Sequence, residues 1–82
     1  MPSLRILNAS GDTWVSWDEK AFAAGDAEAS AAVREAERLF ASARAAGGEA
    51  FRVQAGAPAE RVTRLEPTRT DDVVIIPRMV GG

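Results

Sequence analysis

The residues best suited to chemistry in this sequence are its last two, Gly81 and Gly82. Neither carries a Cβ, so a chain ending in them can pass its terminal carboxylate into a narrow site on another protein. The reactive group would then be a carboxylate waiting to be activated, which makes the chain a substrate rather than a catalyst. Little else competes for that role. Cysteine and histidine are both absent, which removes thiolate nucleophiles, imidazole bases, disulfides and the usual zinc ligands together. Two adjacent carboxylate pairs remain, Asp18-Glu19 and Asp71-Asp72. Both fall in connectors, where they read as capping and turn residues. A catalytic dyad needs opposed groups in a dry pocket, and these sit side by side. No catalytic residue and no metal ligand is expected, and the chain is not expected to be an enzyme.

Two further residues carry recognition chemistry. Trp14 and Trp17 stand three apart, so on one regular strand they point to opposite faces. One can join a core while the other is exposed as a partner contact, and either is a candidate partner surface. Lys20 is the only lysine. Isopeptide chains could therefore grow only through Lys20 or the N-terminus, which favours a carrier or a single-copy modifier over a polymeric signal.

Length and charge bound the rest. A chain of 82 residues has single-domain length, and at this size about 60% of the unfolded surface is buried. That allows one modest core and no deep substrate cavity. Acids outnumber bases, 12 to 10, for a net charge of −2. Nucleic-acid affinity draws on Lys and Arg neutralising phosphates, so nucleic acid is not expected as a partner. This holds although Arg5, Arg52, Arg61, Arg64, Arg69 and Arg78 crowd the strand regions. No leader-like apolar run opens the chain, and Val73 to Pro77 is too short to cross a bilayer. We expect a soluble, cytoplasmic monomer.

The elements that position the tail follow from local pattern. Leu4-Arg5-Ile6-Leu7 and Thr13-Trp14-Val15-Ser16-Trp17, separated by a polar Gly-containing turn, read as a β-hairpin. Asp18 to Asp26 is a connector with room for a helical turn. Ala29, Ala32, Val33, Ala36, Leu39, Phe40 and Ala43 then recur at helical spacing, with polar residues elsewhere. Asp26 caps the start, Arg44 suits the last turn and Gly47-Gly48 supplies the stop. The spacing predicts a helix from about Ala27 to Ala46. Ala50 to Val53 alternates as a strand, and Arg61 to Leu65 has the weak apolar face of an edge strand. Val73-Val74-Ile75-Ile76 is an unbroken β-branched run. A strand with one wet face alternates; one covered on both faces does not. The run is therefore expected to be the most central strand, covered on both sides. One apolar helix stripe and one sheet face pack together most simply as two layers.

The order strand, strand, helix, strand, strand, strand, closed by Ile75-Ile76-Pro77-Arg78-Met79-Val80-Gly81-Gly82, resembles the β-grasp superfamily of ubiquitin-like modifiers and small sulfur-carrier proteins. The whole chain fits the element order; the specific motif is the tail alone. Against the molybdopterin carriers, Pro77 matches a first proline, Met79 a hydrophobic position and Gly81-Gly82 the end. Arg78 stands in place of a second proline, and Val80 in place of a small residue. Against ubiquitin, Arg78 matches the first of two arginines and Val80 departs from the second.

The resemblance implies an α+β fold with a mixed five-stranded sheet in the order 2-1-5-3-4, strand five central and parallel to strand one, and one long helix on one face. It implies a domain over 1–77 and a flexible tail over 78–82, with Arg78, Met79 and Val80 recognised by a partner and Gly81-Gly82 activated. It further implies that a partner adenylating enzyme spends ATP on the Gly82 carboxylate. Sulfur transfer as a thiocarboxylate, or conjugation to an acceptor protein, follows. No cofactor would be bound by the chain itself, which lacks a Gly-rich Lys-Ser/Thr phosphate loop. The other class of function open to the same fold is a protein–protein interaction module with an inert tail.

Overall fold

The structure is a computed structural model and describes residues 1–8 and 11–78. The elements run β1 (Ser3–Ile6), β2 (Thr13–Ser16), α1 (Glu19–Ala23), α2 (Ala27–Ala45), β3 (Glu49–Val53), β4 (Glu60–Val62) and β5 (Asp72–Ile76). The strands form one sheet in the order β2-β1-β5-β3-β4. β1 and β5 are parallel, and the other three pairings are antiparallel. The architecture is α+β, a mixed five-stranded sheet with one long helix, and is compatible with a β-grasp. None of the helices of the described residues is long and apolar enough to cross a membrane.

Caps set the helix boundaries. Asp18 accepts hydrogen bonds from the amides of Lys20 and Ala21 and opens the short α1, which occupies the Asp18–Asp26 connector. Gly25 ends α1 at φ +84°, and Asp26 then accepts from the Ala29 amide at 2.9 Å to start α2. At the other end, the amides of Gly47 and Gly48 return to the carbonyls of Arg44 and Ala43. That pair of bonds is a Schellman motif, which satisfies the last free carbonyls of the helix. α2 is thus one residue shorter than the spacing predicts, with Ala46 as its cap.

The core lies between α2 and one face of the sheet. Ala29, Val33, Ala36 and Phe40 are the buried stripe of the helix. Leu4, Ala50, Val62, Val73 and Ile75 are the buried sheet residues they meet. Two expectations need correction here. Arg61 to Leu65 is a strand only from Glu60 to Val62; beyond Val62 the chain leaves the sheet, and Leu65 packs against the core instead. The run Val73 to Ile76 is indeed the central strand, but it is covered on one side only. Val73 and Ile75 are buried, Val74 is half-buried and Ile76 is exposed, because no element among the described residues lies over the second face.

A polar cluster fills the space where β3, β4 and the connector before β5 meet. Arg52 points to the helix side of the sheet but sits beyond the helix stripe. Its guanidinium reaches Asp71 at 3.2 Å, Glu60 at 3.3 Å and Glu66 at 3.5 Å. Asp71 also accepts from Arg69 and Gln54. The hydrogen bond from Arg69 above all, helped by that from Gln54 and the charges of Arg69 and Arg52, holds the Asp71 carboxyl below its ordinary range against the opposing effect of desolvation. A depressed carboxylate pKa stabilises the fold fully above the unfolded value, about 3.9, and the contribution is lost as pH falls through the folded value. Asp71→Asn is therefore expected to cost stability near neutrality and to flatten the loss below about pH 4. Urea midpoints across the acid range measure this; an acid limb as steep in the variant as in the parent would remove Asp71 as its source.

Candidate functional site

The chain reaches Pro77 and Arg78 from the central strand of the sheet. β5 ends at Ile76, and Pro77, which has no amide hydrogen, stops further ladder pairing. Arg78 then lies against Gly47. A Cβ placed on Gly47 would come 3.0 Å from the Arg78 Cδ, and Gly47 holds φ +94°. Gly48 beside it is closer still: a Cβ there would sit 2.9 Å from both the Ala43 carbonyl oxygen and the Ile75 Cγ2. The Gly47-Gly48 pair read from sequence as a helix stop thus has a second task, letting the helix terminus approach the exit of β5. Gly47, Glu49, Phe51, Ile76, Pro77 and Arg78 line a shallow open recess at this exit.

Of the tail residues singled out from sequence, Arg78 is therefore at the rim of that recess and exposed. Met79, Val80, Gly81 and Gly82 lie outside the described residues.

The two tryptophans part company. Trp14 is 70% exposed on the sheet face away from the helix, whereas Trp17 is 3% exposed in the core. Trp17 follows the last residue of β2, and its amide bonds to the Pro2 carbonyl at 3.2 Å. Its indole Nε1 donates to the Pro67 carbonyl at 2.9 Å. A buried indole with its one donor satisfied is a core residue. Trp17 as a partner surface is thus corrected; Trp14 alone of the pair is available.

Trp14 does not stand alone. Register places Trp14, Arg5, Val74, Phe51 and Arg61 side by side in one row across all five strands, on the face opposite α2. Ile76 and Glu49 lie in the row above, and Asp72 and Val53 in the row below. Trp14, Val53 and Ile76 are the large exposed apolar side chains within strands, and Phe51 and Val74 are half-buried between them. Sequence reading singled out Trp14 but missed this patch. The signal was present in the unbroken run from Val73 to Ile76, which asks for cover on both sides.

The arginines crowding the strands are mostly paired. Arg5 bonds Asp12, Arg52 and Arg69 share the Asp71 cluster, and Arg61 reaches Glu49 at 3.5 Å. Arg64 and Arg78 have no ion pair among the described residues. The adjacent carboxylates likewise have local tasks: Asp18 caps α1, Asp71 holds Arg52 and Arg69, and Asp72 accepts from the Ser3 hydroxyl at 2.8 Å. Among the described residues there is no group of three residues of metal-binding type arranged to hold an ion.

No protein-family model, curated protein or solved structure matches the chain.

Proposed function

We propose that the protein is a ubiquitin-like β-grasp carrier whose Gly82 carboxylate, in the form of the chain that ends there, is adenylated by a partner enzyme at the expense of ATP. The acyl-adenylate is then attacked either by sulfide-level sulfur, leaving a thiocarboxylate, or by an amine of an acceptor protein, giving an amide, and AMP departs in both cases. The single observation that carries this reading is the place of β5: a central strand, parallel to β1, running straight into Pro77-Arg78 and the sequence Met79-Val80-Gly81-Gly82. A strand held by neighbours on both sides is a firm base for a reactive end, because pairing on each side opposes local opening.

The roles divide along the tail. Gly81 and Gly82 are the residues entering the activating site, where the absence of side chains admits a close approach. Arg78, Met79 and Val80 are read by the partner before the carboxylate arrives. Residues 1–77 act as the handle. Nothing in this division asks the chain to bind ATP itself.

The test is the intact mass of the protein recovered from its native host, kept non-reducing and denaturing. A form heavier by one oxygen-to-sulfur exchange at Gly82 is the expected result for a carrier, and a covalent adduct through Gly82 is the expected result for a modifier. Recovery of the free carboxylate alone, even after incubation with ATP and host extract, would overturn the proposal. A second reading, an interaction module with an inert tail, has its own support in the exposed row around Trp14.

A further inference from the structure

The open face of the sheet carries a pattern that its composition alone does not suggest. Across strands β2, β1, β5, β3 and β4 the central row reads Trp14, Arg5, Val74, Phe51, Arg61. β5 is the middle strand of five. A two-fold axis running along β5, with two copies packed face to face, lays β2 over the partner copy's β4 and β1 over its β3. Trp14 then meets the other copy's Arg61, Arg5 meets its Phe51, and Val74 meets its own equivalent. Each aromatic ring faces a guanidinium, twice over by symmetry, as an isologous interface requires. Rotation about the perpendicular in-plane axis would instead set Trp14 on Trp14 and Arg5 on Arg5, which is unfavourable. We propose that this face is the contact between two copies of the chain, arranged about an axis along β5.

Two further observations fit this occupant. The run Val73 to Ile76 is apolar on both faces, yet the described residues cover only one of them. The arginines in the row are already neutralised at their edges, Arg5 by Asp12 and Arg61 by Glu49. A planar guanidinium can bond a carboxylate along its edge while an aromatic ring lies on its face, so neither ion pair has to break. The like-charge contact created is Asp72 near its copy, at the lower rim, where water and salt screen it.

The contact is small. Five strands about 4.8 Å apart, of three to five residues at about 3.3 Å each, give a footprint of roughly 330 Å² per copy. That is below the usual size of a permanent interface, so association is weak and reversible, with half-association expected above about 10 µM. This inference does not rest on the tail reading, and a chain lacking Gly81-Gly82 is expected to associate equally well.

Sedimentation of the full chain from about 10 µM to about 1 mM tests it. The expected result is a concentration-dependent shift from one copy to two. Trp14→Arg sets Arg against Arg at both ends of the row and should weaken association about tenfold or more. Adding Arg61→Trp to that variant exchanges the two partners and should restore association to near the parent value. Both positions are exposed, so circular dichroism should show each variant folded. A chain that stays single at about 1 mM overturns the proposal and leaves the face to a different macromolecule. So does a dimer that ignores Trp14→Arg, or one that the double exchange fails to restore.

Discussion

Removal of Gly81 and Gly82 is expected to abolish covalent activation while leaving the fold untouched. Two residues of extended chain span about 7 Å, and a displacement of about 1 Å at a reacting centre can already cost about a hundredfold. A carboxylate withdrawn by two residues should therefore give no detectable product. All the strands and helices lie within Ser3–Ile76, so the thermal midpoint is expected to stay where it is. The measurement compares the full and shortened chains after incubation with ATP and host extract, by intact mass, and compares their unfolding in parallel. Modification of the shortened chain would refute the tail as the reactive site. Retained partner binding together with absent modification of both chains would favour the interaction module. If association between copies also persists in the shortened chain, the open face and the tail are separate sites.

Trp17→Ala is expected to be the most damaging substitution for the fold. Truncating a buried tryptophan costs about 3–5 kcal/mol, against a total of about 5–15 kcal/mol for a domain. Trp17 lies 3% exposed and bridges the end of β2 to the connector before β5 through Pro67. The variant should melt more than about 12 °C lower, since 1 kcal/mol shifts a domain of this size by about 4–8 °C. Trp17→Phe keeps most of the ring but strips the donor from the Pro67 carbonyl, and should cost about 1 kcal/mol for that bond in addition to a small packing loss. Trp14→Ala, measured in dilute solution where copies are apart, should change stability by no more than about 0.5 kcal/mol. Equal costs at the two positions would contradict the burial assigned here. The contrast matters because sequence spacing makes the pair symmetric, while their surroundings do not.

Neighbour-level signals settled much of the fold from the residues alone. Asp26, the apolar spacing from Ala29 to Phe40 and Gly47-Gly48 specify α2 to within one residue, because caps and helical period act through contacts three or four residues apart. The β-branched run from Val73 to Ile76 is the central strand as expected, although the cover on both faces from which that place was argued is missing on one side among the described residues. The opposed directions of Trp14 and Trp17 follow from the two-residue repeat of a strand. Adenylation at Gly82 remains a proposal resting on the tail motif and on the place of β5.

Only the tertiary structure decided the rest, because it depends on pairings between residues far apart in sequence. Trp17, the buried tryptophan, joins a core drawn from the whole chain and bonds to Pro67, 50 residues away. β4 is cut to Glu60–Val62 because Leu65 finds the core by leaving the sheet, and strand propensity carries no information about that competition. The row of Trp14, Arg5, Val74, Phe51 and Arg61 comes from five strands and exists only once register has aligned them. Slipping any one strand by a single residue would turn its member of the row to the opposite face. Sequence period reports on which side of its own strand a residue lies; only long-range register decides which residues share a surface.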